Sequence, residues 1–270
     1  MKMENKKTAL IIEGGGQRGV FSFGITDTFI NRAYDPFDIY IGVSNGVAVL
    51  YWYLIRETDN NLEKMLFAAK GDYLSYKNIF TGKDIFKFHQ MFKDGEKIFK
   101  PNIENIKKNI IGKDYIAVVT DAIEANAEYY SFGEDEWMSK MIASGTLPVL
   151  VKTPSLINGR RKFDGGIVDP LPAKKAYEMG AKKIIIIRTY EKKFRRKLKL
   201  ENYIGALLLR EYPKLRKALL EHDKTYNREL NFINNPPKDC EIIQLCPPEK
   251  LKSKRDSKNI EVLKADYILG

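Results

Sequence analysis

The sequence predicts an α/β fold with a mostly parallel central sheet, and three observations support this prediction. Short apolar runs that end in glycine alternate with helical patterns twice within residues 8–56, which is the order of elements in a βαβ unit. A strongly β-branched run at residues 183–188 indicates a further buried strand. The 270 residues contain no repeat, low-complexity block or long linker. We therefore predict one domain over residues 1–270, large enough to bury a sizeable core.

The N-terminal elements follow from local patterns of apolar residues. TALIIE, at residues 8–13, runs into glycines and predicts a buried strand. Residues 18–32 have helical spacing, residues 37–43 predict the next strand, and residues 45–56 predict a very apolar, buried helix. This order predicts the opening of a parallel sheet.

The remainder of the chain is predicted to continue the sheet and to add helices. Residues 60–110 are less regular and rich in Lys, Phe and Tyr, with short helical stretches. Further predicted strands are residues 115–120, a partner at 127–132, 183–188 and 241–245. Further predicted helices are residues 136–144, 172–179 with Gly180 as a stop, two or so within 198–233 around Pro213, and 259–269.

The charge balance is basic, with 46 Lys and Arg against 35 Asp and Glu. Residues 182–199 contain nine basic residues and one acidic residue, and residues 250–258 form a second basic cluster. Such clusters favour anionic partners such as a phospholipid surface, although a solvated face of a Lys-rich protein explains them equally well. Charge alone suggests a nucleic-acid binder, but we find no nucleic-acid motif and predict no such partner.

The expected location is cytoplasmic. No apolar run approaches the roughly 18 residues that span a bilayer. The start, MKMENKKTALIIEGGG, is basic and then briefly apolar, but it runs into glycines without a small-residue cleavage site. Cys240 and Cys246 fit neither a zinc pair nor a redox motif, and we predict a structural role for both in or beside one strand.

GGGQRG, at residues 14–19, follows a predicted strand and opens a predicted helix. Gly14, Gly16 and Gly19 fit the spacing of a dinucleotide loop, which also needs an acid at the end of the second strand. Here that strand runs into Gly-Val-Ser, and Asp35 and Asp38 lie before it or at its start. Backbone amides at a helix N-terminus equally hold an anion that develops during a reaction. We therefore favour an oxyanion hole, in which Arg18 adds positive charge or ties the loop down by hydrogen bonds.

Gly42-Val43-Ser44-Asn45-Gly46 has the Gly-x-Ser-x-Gly form of a nucleophile turn between a strand and a helix. Gly14 and Ser44 are 30 residues apart, which is the length of one βαβ unit. A right-handed crossover makes the two strands parallel, so both loops emerge at the same edge of the sheet. Ser44 is therefore a candidate nucleophile, and the alternative is a structural serine in a glycine turn.

The usual base for such a serine is histidine, and the chain has two. His89 lies in an irregular aromatic segment and His222 on a helix that we expect to be exposed, so neither follows a strand end. In RKFDGGIVDPLP, residues 161–172, Asp164 precedes Gly165 and Gly166. The segment marks either a simple turn or a loop carboxylate that acts as the base of a Ser-Asp dyad. An ordinary aspartate pKa of about 3.9 would keep that base ionised over a broad pH range.

These pieces together resemble a known family. GGGQRG, GVSNG and DGG, in this order, resemble the motifs of the patatin-like phospholipases, which include plant patatins, bacterial patatin-like proteins and the catalytic domain of neuropathy target esterase. ASGTLPVL, at residues 143–150, is similar to the family's Ala-Ser-x-x-x-Pro segment, and DGGIVDPLP is similar to its Asp-Gly-Gly or Asp-Gly-Ala stretch. Residues 8–190 carry the resemblance, and the helical extension at 195–270 is similar to that of a bacterial subgroup.

The resemblance implies a three-layer α/β/α fold and hydrolysis of lipid acyl esters through an acyl-enzyme, with Ser44 as nucleophile and Asp164 as base. It implies no metal and no cofactor. The implied oxyanion loop consists of Gly14, Gly15, Gly16, Gln17, Arg18 and Gly19. The implied nucleophile turn consists of Gly42, Val43, Asn45 and Gly46 around Ser44, and the base loop contains Gly165 and Gly166. Asn45 departs from the small residue of many members, and there it either narrows the site or adds a hydrogen bond.

A lipid substrate would also need an apolar pocket and access to a membrane. We expect part of residues 66–99 to line or cover that pocket, although an ordinary core patch is an equal alternative. The side chains concerned are Phe67, Phe80, Phe86, Phe88, Met91, Phe92 and Phe99. The basic residues at 192–199 favour peripheral contact with an anionic inner membrane face. The alternative function is a non-catalytic lipid- or anion-binding protein that keeps the fold.

Overall fold

An eight-stranded mixed sheet forms the centre of the protein. The structure, a computed structural model, describes residues 6–57, 61–81, 83–133, 136–148 and 150–270. The strands are β1 (Lys7–Ile12), β2 (Ile39–Val43), β3 (Asp114–Asp121), β4 (Ala127–Ser131), β5 (Ser155–Ile157), β6 (Arg160–Asp164), β7 (Ala181–Ile187) and β8 (Glu241–Leu245).

The sheet has the order β5-β6-β3-β2-β1-β7-β8, and β4 pairs with β3 outside this path. β3, β2, β1, β7 and β8 run parallel to one another, whereas β4, β5 and β6 pair antiparallel with their neighbours. β1 and β2 are apolar on both faces and almost wholly buried, as parallel strands between two layers of helices must be. The predicted mostly parallel sheet is confirmed.

Helices cover both faces of this sheet. On one face Leu10 and Tyr40 pack with residues from the first helices and the last helix, whereas Ile11 and Ile41 point the other way and pack with a second group. Successive strand residues alternate between faces, so the protein has the three layers α/β/α that we predicted. The helices are α1 (Gly19–Asn31), α2 (Asn45–Ile55), α3 (Asn61–Lys70), α4 (Asn78–Thr81), α5 (Phe88–Phe99), α6 (Ile103–Asn109), α7 (Trp137–Ser144), α8 (Ala173–Glu178), α9 (Leu200–Leu208), α10 (Pro213–Leu220), α11 (His222–Asn234) and α12 (Ile260–Leu269).

The structure corrects the C-terminal part of the prediction in one respect. Residues 198–233 contain three helices rather than two or so, because α10 begins at Pro213 and a break at Glu221 separates it from α11. Cys240 and Cys246 flank β8 as free thiols. None of the helices within the described residues combines the length and apolar character needed to cross a bilayer.

The hairpin β5–β6 is the main element that the prediction lacked. We expected Asp164 on a loop, but it ends β6, and the hairpin turns through Asn158 and Gly159 with positive φ values of 51° and 71°. The charged sequence of β6, RRKFD, does not alternate between apolar and polar residues, so its pattern did not indicate a strand.

The register around β3 places the ends of β2 and β6 together. Val118 of β3 pairs with Val43 of β2 on one side and with β4 on the other. Val119, the next residue, pairs with Asp164 of β6 and again with β4. Since β4 occupies one edge of β3 at both positions, β2 and β6 share the other edge and meet end to end. Ser44 follows β2 and Asp164 ends β6, so this register brings the two residues face to face.

Candidate active site

Ser44 lies in a strained turn between β2 and α2. Its φ of 54° and ψ of −129° are rare for a residue with a side chain, and such geometry costs about 1–3 kcal/mol unless the surroundings hold it. The amide of Ser44 donates to the Ser144 hydroxyl at 2.9 Å, and that hydroxyl donates to the Val118 carbonyl at 2.6 Å. The turn needs Gly46, because a Cβ there would lie 2.2 Å from the carbonyl oxygen of Ile12.

Asp164 is held against Ser44 by its backbone and by its side chain. Its amide donates to the Thr146 carbonyl at 2.8 Å. Its carboxylate accepts the Gly166 amide at 2.8 Å, and the Ser44 side chain lies near enough to stabilise its charged form. Gly165 fits only without a side chain, since a Cβ would lie 2.2 Å from the Val118 carbonyl oxygen. The carboxylate therefore has a defined orientation toward the serine.

The environment of Asp164 changes its titration. The residue is 3% exposed, and burial raises the pKa of its carboxyl from 3.8 to about 6, although hydrogen bonds from Ser44 and Gly166 and the charge of Arg255 oppose the rise. The expectation of a base ionised over a broad pH range is therefore wrong, because burial disfavours the charged form. A carboxylate of higher pKa is a stronger base near neutral pH.

The glycine loop lies beside the serine. A Cβ at Gly14 would lie 2.7 Å from the Cβ of Ser44, so the loop approaches this closely only with glycine there. Gly16 has a φ of 56°, in the left-handed region that favours glycine. Three residues, Gly14, Gly15 and Gly16, have amides without a hydrogen-bond partner in the described chain.

The other three residues of the expected oxyanion loop use their amides within the protein. The Gln17 amide donates to the Arg255 carbonyl at 2.9 Å, and the Arg18 amide donates to the Gly15 carbonyl at 3.3 Å. The Gly19 amide begins the helical hydrogen bonding, with the carbonyls of Gln17 and Gly16 as acceptors. Three of the six amides of this loop are therefore without a partner among the described residues.

A buried network that the sequence did not reveal anchors the start of this loop. Glu13 is 3% exposed, and its carboxylate accepts the Tyr226 hydroxyl at 2.6 Å and the Thr189 amide at 2.7 Å. The Thr189 hydroxyl donates to the Gly14 carbonyl at 3.1 Å. The one sequence signal was an acid at the end of an otherwise apolar strand, and its partners are 176 and 213 residues away.

Arg18 and Asn45 pack at the two sides of the loop. The Arg18 guanidinium lies 4.3 Å from the centre of the Tyr190 ring, and its Nε has no hydrogen-bond partner within the described residues. Arg18 therefore holds the loop by a cation–π contact rather than by the expected hydrogen bonds. A Cβ at Gly19 would lie 2.0 Å from Nδ2 of Asn45, so the asparagine narrows the space beside the nucleophile.

A cavity of about 1050 Å³ opens from Ser44 and Asp164. Most of its wall is apolar, with Trp52 and Met141 among the lining residues. The expected side chains that line it are Phe67, Phe86, Phe88, Met91, Phe92 and Phe99. The side chain of Phe80 lies outside the described part of the chain.

Basic residues also line the same cavity. Arg196, Lys199 and residues 250–258 all contribute to its lining. Arg255 forms an ion pair with Glu201 at 2.9 Å, and Lys258 donates to the Leu74 carbonyl at 3.2 Å. The second basic cluster of the sequence therefore lines the cavity rather than a remote surface.

Neither histidine contacts the serine within the described residues. His89 is exposed on α5. His222 is half-buried and lines the cavity, so the expectation of an exposed position is wrong. Burial, and to a lesser degree the charge of Arg196, lower the pKa of His222 to about 3, so the ring is neutral at pH 7. Asp164 is the titratable group in contact with Ser44.

A known family covers the part of the chain that contains Ser44 and Asp164. A family model described as patatin-like phospholipase matches residues 10–177, and one described as a domain of unknown function, DUF6363, matches residues 212–270. The uncharacterized protein YjjU of Escherichia coli (strain K12) is 25% identical over 273 residues, which cover 98% of this chain and 75% of that protein. The crystal structure of VipD from Legionella pneumophila shares 12% identity with a TM-score of 0.40, covering 88% of this chain and 72% of that one.

Proposed function

This chain belongs to the patatin-like phospholipase family, a family of lipid hydrolases, and on that premise we propose that it cleaves carboxylic esters of lipids through a Ser44–Asp164 dyad. The observation that carries the proposal is the position of the Ser44 side chain beside the buried Asp164 carboxylate, whose charged form it stabilises. This pair lies beside three open glycine amides, at the end of an apolar cavity.

In the first half of the reaction, Asp164 takes the proton of Ser44 as Oγ attacks the ester carbonyl. The carbonyl oxygen becomes negative, and the amides of Gly14, Gly15 and Gly16 hold it. The C–O bond to the leaving alcohol then breaks, and the protonated Asp164 returns its proton to that alcohol. The acyl group remains bound to Ser44 as an ester.

In the second half, a water molecule takes the place of the alcohol. Asp164 removes one of its protons as the oxygen attacks the acyl-enzyme, and the same amides hold the second oxyanion. The bond between the acyl carbon and Ser44 Oγ breaks, Ser44 recovers the proton, and a fatty acid leaves. A base with a pKa of about 6 suits both steps, because it is ionised at pH 7 and still accepts a proton readily.

The cavity supports a fatty acyl chain as the group transferred. Its aromatic and methionine side chains suit an apolar chain, and burial of each methylene there contributes about 0.8 kcal/mol. Lys and Arg side chains also belong to the lining and suit the polar alcohol part of the substrate. Phospholipids, lysophospholipids and simple fatty acyl esters share this pattern.

We also propose that the catalytic part and the C-terminal part act as one domain. Tyr226 of α11 bonds Glu13, and the Arg255 carbonyl accepts the Gln17 amide. β8 extends the central sheet beside β7. Removal of residues 212–270 would expose one edge of the sheet and release both contacts with the glycine loop, so we expect the shortened chain to lose its fold.

Labelling with a fluorophosphonate probe tests the proposed hydrolase. We expect the wild-type protein to label, and Ser44→Ala and Asp164→Asn to lose labelling. Two matched controls keep it: Ser22→Ala removes another buried serine hydroxyl, and Asp169→Asn alters a carboxylate that bonds Tyr129 instead of Ser44.

The same experiment distinguishes the proposed hydrolase from the alternative function. A folded wild-type protein that binds fatty acid but never labels would favour a non-catalytic lipid-binding protein. Loss of labelling in both control variants would mean that the probe reports general disturbance of the site. With labelling established, release of fatty acid from phospholipid, lysophospholipid and simple esters then identifies the substrate class.

A further inference from the structure

Helix α9 turns a continuous apolar face to solvent. Leu200, Tyr203, Ile204, Leu207 and Leu208 are between 45% and 74% exposed. Their spacing of three, four, seven and eight residues from Leu200 places them on one side of an α-helix. The exposed side chains therefore form one patch rather than scattered single residues.

The side of α9 that faces the protein is small or polar instead. Asn202, Gly205 and Ala206 are buried there, where the helix packs against α10. The Asn202 side chain donates to the Leu219 carbonyl at 3.2 Å. A surface helix of a water-soluble protein normally buries its large apolar residues, so this reversed orientation indicates a binding surface.

A run of positive charge leads directly into this helix. Lys192, Lys193, Arg195, Lys197 and Lys199 are exposed. None of these five forms an ion pair with a residue in the described ranges. The first acid of α9, Glu201, already pairs with Arg255. An apolar helix face beside unpaired cations has the chemistry of a helix that lies in the surface of an anionic bilayer.

The same segment borders the cavity. Arg196, Lys199, Glu201 and Asn202 line the cavity that also contains Ser44, so a surface on which α9 lies would also border that cavity. A bilayer fits this continuity, because it presents anionic headgroups to the basic residues and acyl chains to the apolar face of α9.

We propose that α9 and residues 192–199 form a docking surface for anionic lipid bilayers, with the apolar face of α9 inserted at the level of the headgroups. Docking itself does not need the hydrolase reaction. The further step, entry of a lipid from the bilayer into the cavity, rests on the proposed function.

Vesicle flotation tests the docking surface with full-length Ser44→Ala protein, which leaves the lipids intact. We expect binding to vesicles of phosphatidylcholine with phosphatidylglycerol, weaker binding to phosphatidylcholine alone, and a decline with rising salt. Leu207→Ser with Leu208→Ser should weaken binding about tenfold or more. Lys193→Gln, Arg195→Gln and Lys197→Gln together should remove the preference for phosphatidylglycerol.

A matched control replaces two exposed apolar residues near the C-terminal end of α2, away from α9. Ile103 and Ile111 are 40% and 79% exposed. Ile103 begins α6 and Ile111 lies just after it, and α6 donates hydrogen bonds to the C-terminal carbonyls of α2. Ile103→Ser with Ile111→Ser should bind vesicles like the parent protein, and circular dichroism should show every variant folded.

Three results would overturn the docking surface. In the first, the α9 variant binds vesicles like its parent. In the second, neither the parent nor any variant binds phosphatidylglycerol vesicles at low salt. In the third, no vesicle binding occurs and light scattering shows a dimer that the α9 substitutions convert to a monomer. The last result would assign the face to a second copy of the chain. None of these depends on whether Ser44 is a nucleophile, so failure of the hydrolase proposal remains distinguishable.

Discussion

Ser144 offers a test of how the protein holds its nucleophile. Its hydroxyl is fully buried, and it accepts the Ser44 amide at 2.9 Å while donating to the Val118 carbonyl at 2.6 Å. Ser144→Ala deletes both hydrogen bonds and leaves a buried amide and a buried carbonyl. Each unpaired buried group costs about 1–3 kcal/mol, so with two such groups we expect the free energy of unfolding to fall by about 2–6 kcal/mol.

The catalytic effect follows from the backbone strain at Ser44. Its φ of 54° is unfavourable, and the lost amide bond is a contact that opposes relaxation of the turn. Release of about 1–3 kcal/mol of strain would displace Oγ from Asp164. We therefore expect the rate of fluorophosphonate labelling to fall by about tenfold to a hundredfold, since about 1.4 kcal/mol corresponds to a factor of ten.

Thr146→Val is the matched control for Ser144→Ala. The Thr146 hydroxyl is equally buried and makes two hydrogen bonds, to the Ile142 carbonyl at 2.9 Å and the Ser155 hydroxyl at 2.7 Å. It does not touch Ser44. We expect a similar loss of stability in urea unfolding and a labelling rate near that of wild type. Equal slowing in both variants, or none in Ser144→Ala, would refute the positioning role of Ser144.

Three further results are expected. The rate of ester hydrolysis should rise with pH through about 6, because Asp164 must be deprotonated and burial raises its pKa to about 6. Gly16→Ala should cost about 2 kcal/mol or more of stability, since its φ is 56° and a Cβ would lie 2.5 Å from the Arg255 carbonyl oxygen. Tyr226→Phe removes a buried 2.6 Å hydrogen bond to Glu13, and we expect a loss of about 1–3 kcal/mol of stability with slower labelling.

Each of these results has its own check. Asp169→Asn should keep the pH profile, and a profile that is flat between pH 5 and 7 contradicts the assignment of Asp164. Gly112→Ala is the comparison for Gly16→Ala, because Gly112 also has a positive φ of 72° but meets nothing within 4 Å. An equal loss of stability in Gly16→Ala and Gly112→Ala would show that the clash with the Arg255 carbonyl does not cause the effect. For Tyr226→Phe, an unchanged labelling rate in fully folded protein would show that the network around Glu13 does not support the glycine loop.

Local patterns were sufficient for most of the fold. The apolar runs at β1, β2 and β7 correctly predicted strands, because a parallel strand that is buried on both faces is apolar at nearly every position. Glycine after β1 and near the end of β2 indicated the close approaches at Gly14 and Gly42, where a Cβ would clash. The prediction failed at β6, where charged residues sit in an antiparallel hairpin whose pairing depends on β3.

The sequence was sufficient to name Ser44 and Asp164 as candidates, because a tight turn depends on the residues next to it in the chain. Their contact depends on a register in which β4 occupies one edge of β3 and leaves the other to β2 and β6. The supports of the site come from residues distant in the chain, since Ser144 is 100 residues from Ser44 and Tyr226 is 213 from Glu13. The raised pKa of Asp164 and the outward face of α9 likewise depend on burial, which is a property of packing and not of any short stretch of residues.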